Sequence, residues 1–255
     1  MHANLLQLSK KIRVGAVSYL NTKPLLYGLQ HHAVSETIEL IEDYPANLAK
    51  ALIDNTIDIG LVPIAIIPLI KDPYLVSDYC IGAEGSVASV SIFSQVPMEE
   101  IKTVYLDYQS RTSIQLAQIL LKSYWKQKVD FIPASEGYID NINGTTAGVI
   151  IGDRALAAIP RFAYNFDLAA TWVLHTGLPF VFATWVANKP ISAQFMKQFD
   201  LANSYGLNHL EEVIAKIPMN ETGYDLYKYY TQNISYLFTS EKKQGMELFL
   251  KSLIN

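Results

Sequence analysis

Four short polar segments in this 255-residue sequence carry side chains that can donate hydrogen bonds, and each follows an apolar run. They are residues 18–23, 84–89, 110–113 and 152–154. Hydroxyl groups recur in the first three segments, and the last two segments each contain one arginine. Such groups bind carboxylates and hydroxyls, and they stabilise negative charge that develops during a reaction. The four segments are therefore the candidates for a binding or active site.

The segment 110–113 begins the clearest amphipathic helix that the sequence predicts, over residues 112–125. Unpaired backbone amides at a helix N-terminus bind anions, and the three hydroxyls of this segment add donors. Arg111 could add a forked, permanently charged partner for a carboxylate. The alternative is simple N-capping of the helix, which uses the same residue types.

The other three segments are weaker candidates of the same kind. Residues 18–23 place hydroxyls, an amide and an ammonium group after a buried strand, and Pro24 stands where a helix would begin. The alternative is a helix cap beside a solvated lysine. Residues 85–89 form a Gly-Ser turn, which could equally be an ordinary tight turn. Gly152 and Asp153 open a second helix, where we expect Asp153 to be a cap rather than a base.

Composition argues against several classes of protein. The formal net charge of −4 disfavours a nucleic-acid-binding surface, which is normally basic. Cys80 is the only cysteine, and no histidine and carboxylate spacing suits a metal. We therefore expect no metal site and no cofactor.

The uncharged stretch of residues 168–188 is long enough to span a membrane. Gly177 and Pro179 interrupt it, which favours a helix end, a turn and a buried strand instead. No secretory signal is evident at the N-terminus, so we expect a cytoplasmic location.

Alternating strands and helices position the four polar segments. Strands are predicted at residues 12–19, 37–42, 57–63, 103–106, 131–133, 147–151 and 180–187, and helices at residues 45–55, 112–125, 153–158 and through most of the chain after residue 192. Strand, helix, strand order favours parallel sheets, and the order restarts near residue 103.

Two such units predict a two-lobed α/β fold. Lobe 1 would contain residues 1–92 and 184–255, and lobe 2 residues 93–183, with crossing strands near Val90–Ser94 and Phe180–Ala187. Each lobe is expected to be an open, mainly parallel sheet flanked by helices. Ligands of such folds bind beyond the carboxyl ends of the strands, so the cleft between the lobes would hold the four segments.

The sequence resembles the chorismate dehydratase family of menaquinone biosynthesis. The resemblance lies in VGAVSYLNTKPL at residues 14–25, GSVASV at 85–90, LDYQSRTS at 106–113, Gly152-Asp153 and TGLPFVFATW at 176–185. These stretches cover nearly the whole chain in order, and the first is highly specific. The dihydroxynaphthoate synthases of the same pathway have a different first loop, of Ser-Pro-Cys-Pro-Asn-Asp type. The chain departs from the family at Ser86, where many relatives have proline.

The resemblance implies a periplasmic-binding-protein-like type II fold. It also implies the conversion of chorismate to 3-[(1-carboxyvinyl)oxy]benzoate and water, without a cofactor, in the futalosine route to menaquinone. The family's important polar positions fall on Asn21 and Ser89, which are the implied catalytic residues. Substrate-binding roles are expected for Ser18, Tyr19, Thr22, Ser86, Val87, Ser110, Arg111, Thr112, Ser113, Gly152 and Asp153. The expected partner is a small dicarboxylate, with no nucleic acid, no membrane and no obligate protein partner.

The alternative function is a non-catalytic solute-binding protein for a small carboxylate, because the fold is shared and fold does not fix function. The missing secretory signal counts against it. A cytoplasmic effector-binding module would require a DNA-binding domain, which this sequence does not show.

Overall fold

Strand and helix boundaries in the computed structural model follow the apolar runs and helix-start residues of the sequence. The structure describes residues 11–218 and 223–253. The strands of this part of the chain are β1 Ile12–Ala16, β2 Ile38–Glu42, β3 Ile59–Pro63, β4 Tyr74–Ala83, β5 Val90–Ser94, β6 Thr103–Leu106, β7 Asp130–Pro133, β8 Thr146–Ile151, β9 Tyr164–Asp167, β10 Phe180–Ala187 and β11 Ser235–Leu237. The helices are α1 Lys23–His31, α2 Pro45–Ile53, α3 Thr112–Ser123, α4 Gly152–Ala158, α5 Leu168–Thr176, α6 Ala193–Leu207, α7 Leu210–Ala215, α8 Leu226–Lys228 and α9 Ser240–Ser252.

The described strands form two sheets. The first has the order β11-β4-β10-β3-β1-β2, and the second has the order β7-β6-β8-β5-β9. Strand β1 lies parallel to β2 and β3, and β6 lies parallel to β7 and β8. These parallel pairs come from the predicted strand, helix, strand units, in which α1 and α2 begin with Pro24 and Pro45 in their first turns.

The prediction that each sheet would be mainly parallel is corrected, because both sheets are mixed. Strand β10 runs antiparallel to β3 and β4, and β5 runs antiparallel to β8 and β9. Strands β5 and β10 each follow a passage of the chain from the other sheet. A crossover helix is needed only between neighbouring strands that run parallel, so a strand that arrives from the other sheet can pair antiparallel.

Over residues 11–218 and 223–253 the chain changes sheets twice, at residues 84–89 and 177–179. Val90–Ser94 lies wholly in the second sheet and Phe180–Ala187 wholly in the first. Both changes of sheet therefore fall a few residues before the proposed lobe boundaries, which follow residues 92 and 183. Helix α5 ends at Gly177, whose positive φ of 74° reverses the chain before β10. No helix among the described residues is long and apolar enough to cross a membrane.

The chain after residue 192 is mostly helical, as predicted, but it contains an unpredicted return to the first sheet. A π-helical turn at Tyr229–Asn233 leads into β11, which pairs with β4 next to the first change of sheet. The C-terminal part of the chain is therefore brought against the loops at the centre of the molecule.

Candidate active site

A small, partly open cavity lies between the loops of the two sheets. Its polar lining consists of Tyr19, Asn21, Thr22, Ser89, Gln109, Ser110, Arg111, Thr112 and Ser113. Its remaining lining consists of Val17, Pro45, Leu61, Pro63, Ile81, Val87, Val90, Ile151, Gly152, Phe182 and Ala183. All four predicted segments thus meet in one place, and most of the predicted site residues line the cavity.

Ser18, Ser86 and Asp153 are predicted site residues that do not line this cavity. The Ser18 hydroxyl accepts a hydrogen bond from Lys23 Nζ (2.6 Å), on the other side of the first loop. Asp153 Oδ1 accepts from the backbone amide of Leu20 (3.1 Å), so this carboxylate caps a turn of the opposite lobe. We expected Asp153 to cap the helix that it opens. It instead caps a turn at Leu20, which only the folded chain brings close to Asp153.

Asn21 lies at the cavity with its amide group free to donate. Its Oδ1 accepts a hydrogen bond from the Thr22 hydroxyl (3.0 Å), and its backbone carbonyl accepts from the Tyr236 hydroxyl (2.9 Å). Within the described residues its Nδ2 has no hydrogen-bond partner. Helix α1 has Thr22 as its N-cap, without a side-chain capping bond. The alternative that Asn21 serves only as a helix cap therefore finds no support in the geometry.

Ser89 is fully buried, and its hydroxyl accepts a hydrogen bond from Tyr229 (2.8 Å). The preceding turn contains Ala88 at a positive φ of 61°, a conformation that alanine rarely adopts. The carboxylate of Asp167 supports this turn by accepting from the Ser86 hydroxyl and from the Ala88 amide, each at 2.8 Å. Ser86 thus contributes to the site by holding the turn.

The start of α3 combines capping with free donors. Ser110 Oγ accepts from the Ser113 amide (3.0 Å), so Ser110 is a cap, as the alternative interpretation predicted. Thr112 Oγ1 accepts from the Ala65 amide of the other lobe (3.2 Å). Arg111 is exposed, and it makes no ion pair within the described part of the chain. Its guanidinium is therefore available to a ligand.

Asp107, Gln109 and Tyr138 help to hold this loop and were not among the predicted site residues. The carboxylate of Asp107 is buried and accepts from Arg154 (2.8 Å), Tyr138 (2.9 Å) and the Gln109 amide (2.8 Å). Gln109 itself lines the cavity and accepts from the Tyr19 hydroxyl (2.9 Å). The sequence signal that could have found them is Asp107, a carboxylate directly after a predicted strand. An aspartate in a turn commonly accepts a hydrogen bond from the backbone amide two residues further on, which here is that of Gln109.

Electrostatically, the cavity suits a ligand that is held mainly by neutral donors. Arg111 is the only ionic side chain among the described residues that line it. Burial raises the pKa of Tyr19 to about 12, so this phenol is neutral at physiological pH. No three His, Cys, Asp or Glu side chains of the described residues are grouped as metal ligands would be. The site can bind an anion and polarise a hydroxyl.

Two mixed α/β sheets with a cavity between their loops are typical of a periplasmic-binding-protein-like fold. The chain is similar to a protein of Archaeoglobus fulgidus, with a TM-score of 0.72, 13% identity and 96% of each chain covered. It is also similar to a Candida albicans protein described as having the generic periplasmic binding protein fold (TM-score 0.60, 14% identity, covering 96% of this chain and 94% of that one). These likenesses confirm the predicted fold class.

The chain belongs to the menaquinone biosynthesis family, whose model matches residues 12–254. It is 26% identical to a chorismate dehydratase of Thermus thermophilus, over 94% of each chain. The family resemblance predicted from the sequence motifs is therefore confirmed.

Proposed function

We propose that this protein is a chorismate dehydratase, a hydro-lyase that converts chorismate to 3-[(1-carboxyvinyl)oxy]benzoate and water in the futalosine route, in the cytoplasm. The chorismate dehydratase relative and the menaquinone family support this proposal. The observation that carries it is the lining of the cavity, in which neutral donors surround a single free guanidinium, that of Arg111. A dicarboxylate with a hydroxyl leaving group matches that set of donors.

The reaction removes the hydrogen at C3 and the hydroxyl at C4 of chorismate, and the ring becomes aromatic. The thermodynamic drive is therefore internal to the substrate, and the protein must bind, align and stabilise charge. One carboxylate would bind at the start of α3, with Arg111 as its ionic partner. The second would accept from the Ser89 hydroxyl, which lines the cavity. Asn21 Nδ2 would donate to the departing C4 hydroxyl.

The proton acceptor is assigned to the substrate. Among the described lining residues none is a carboxylate or an imidazole, the usual side chains for a general base. We infer that the enolpyruvyl carboxylate takes the C3 proton while the C–H electron pair forms the new ring double bond. The C4–O bond breaks as this double bond forms, and the leaving oxygen takes up that proton and departs as water.

The test is incubation of the purified protein with chorismate, followed by ultraviolet absorbance and mass spectrometry of the product. We expect an aromatic product that is 18 mass units lighter than chorismate by the loss of water, about the same rate after exhaustive chelation, and no need for an added nucleotide. Calorimetric binding of chorismate without conversion would instead support the solute-binding alternative. A strict metal requirement would contradict the proposal.

A further inference from the structure

Residues 229–236, which we name the tyrosine segment, contact both candidate catalytic residues. The Tyr229 hydroxyl donates to Ser89 Oγ (2.8 Å), and the Tyr236 hydroxyl donates to the backbone carbonyl of Asn21 (2.9 Å). These partners are separated by 140 and 215 residues in the sequence. One short C-terminal segment therefore supports two loops that come from the first 90 residues of the chain.

The tyrosine segment is itself firmly held. Its π-helical turn closes with a hydrogen bond from the Ile234 amide to the Tyr229 carbonyl (3.0 Å). Asn233 donates to the Ser86 carbonyl (3.0 Å) and accepts from the Tyr224 hydroxyl (3.1 Å). Turns of this type are rare and frequently occur at functional sites. The Tyr229 ring is fully buried, so its hydroxyl has a fixed position.

The contact between Tyr229 and Ser89 determines the direction of one proton. The Tyr229 hydroxyl is the donor in this pair, and burial raises the pKa of Tyr229, so this hydroxyl stays protonated. A serine hydroxyl has a single proton of its own. Within the described residues the Ser89 proton has no protein acceptor, and Ser89 lines the cavity. With one lone pair of Ser89 taken by Tyr229, its proton is directed toward whatever occupies the cavity.

We propose that Tyr229 is a positioning residue, which orients the Ser89 hydroxyl so that Ser89 donates to an anionic group of the substrate. This inference rests on the proposed dehydratase function and deepens it. Tyr229 does not touch the substrate and acts only through Ser89. Its contribution should therefore vanish when the Ser89 hydroxyl is absent.

The experiment is a double-mutant cycle on chorismate turnover. Tyr229→Phe removes only the hydroxyl, and we expect kcat/KM to fall about tenfold, as for the loss of one neutral hydrogen bond. We expect the fall to be mainly in kcat. In the Ser89→Ala background the same change should alter kcat/KM less than twofold. In the double variant both hydroxyls of the pair are absent, so neither is left without its partner. The comparison of the two backgrounds therefore holds even where Tyr229→Phe alone lowers the melting temperature.

Tyr230→Phe is the matched control, because Tyr230 is the next residue of the same turn. Its hydroxyl is buried without a hydrogen-bond partner among the described residues, so its removal should leave kcat/KM within twofold of wild type. A tenfold loss for Tyr229→Phe that persists in the Ser89→Ala background would overturn the inference, as would full activity of Tyr229→Phe. A wild-type protein that neither binds nor converts chorismate would overturn the proposed function and the inference with it.

Discussion

At the residue scale, the polar side chains of the cavity differ in what remains free for a ligand. The hydroxyls of Ser110 and Thr112 already accept bonds from backbone amides, and Tyr19 already donates to Gln109. Asn21 Nδ2 and the Arg111 guanidinium have no such partner within the described residues. Selectivity for a carboxylate and a hydroxyl thus depends on a few free donors whose neighbours hold them in place.

Asn21→Asp is expected to abolish most of the activity of a protein that still folds. The change keeps the size of the side chain but replaces an amide donor with a negative charge. Loss of one such donor costs about 10²–10³ in rate, and repulsion of a dicarboxylate adds to it. Turnover and thermal melting of the same preparation check this expectation. A stable and fully active variant would show that Asn21 has no role in the reaction.

At the element scale, α1 carries the first loop and is fixed by very close contact with α6. A Cβ atom at Gly28 would lie 1.8 Å from the Ala202 carbonyl oxygen, and one at Gly206 would lie 1.8 Å from that of Pro24. Only glycine allows the two backbones to approach this closely. The position of Asn21, two residues before α1, therefore depends on a contact between two helices.

Gly28→Ala is expected to lower the free energy of unfolding by about 3 kcal/mol, since the added methyl group must force the helices apart. Urea unfolding measures this change. Gln30→Ala, an exposed position in the same helix, is the control and should change stability by less than about 0.5 kcal/mol. An equally small effect at Gly28 would contradict the helix contact.

The carboxylate of Asp58 joins three neighbouring strands of the first sheet, at the ends of the strands that point away from the cavity. Asp58, just before β3, accepts from the amide and guanidinium of Arg13 in β1 and from Lys189 Nζ (2.6 Å) just after β10. Burial alone would raise the pKa of Asp58, but the hydrogen bonds from Arg13 and Lys189 outweigh burial and hold this pKa well below its usual range.

Asp58→Asn should therefore destabilise the protein in a pH-dependent manner and leave kcat unchanged. A depressed carboxylate pKa in the folded state stabilises the protein above the unfolded pKa, and this stabilisation is lost as the pH falls toward the folded value. We expect a loss of about 2–3 kcal/mol at pH 7 that shrinks progressively below about pH 4. Denaturant unfolding of both proteins across this range is the measurement. A difference that does not vary with pH would contradict the assignment.

At the scale of the whole molecule, three of the hydrogen bonds that the structure describes join the loops of the two lobes across the cavity. They run from Tyr19 to Gln109 (2.9 Å), from the Leu20 amide to Asp153 (3.1 Å) and from the Ala65 amide to Thr112 (3.2 Å). Each contributes on the order of 1 kcal/mol. Separation of the lobes would break few bonds, and a ligand that contacts both lobes would oppose it.

We expect small-angle scattering to show a smaller radius of gyration at saturating product than in the free protein, because product contacts favour the joined lobes. Tyr19→Phe, which removes one of the three bonds, should enlarge the free protein more than the product complex. The same radius of gyration with and without product would count against lobe closure.

The sequence by itself determined the local units and the location of the site. Apolar runs and first-turn prolines, such as Pro45 of α2, predicted most strands and helices within a few residues. The rule that ligands bind beyond the carboxyl ends of strands then selected the four segments that meet at the cavity. The strand and helix predictions succeed because they depend on residues that are close together in the chain, whereas the assignment of the four segments to an active site stays a prediction.

Only the tertiary structure decided how those loops are held. Asp153 caps a turn 133 residues away, and Tyr229 binds a hydroxyl 140 residues away. The antiparallel pairing of β5 and β10 likewise follows the passages of the chain between the lobes. Contacts of this kind have no local pattern, because a buried polar group accepts any partner that the packed chain brings within hydrogen-bond distance.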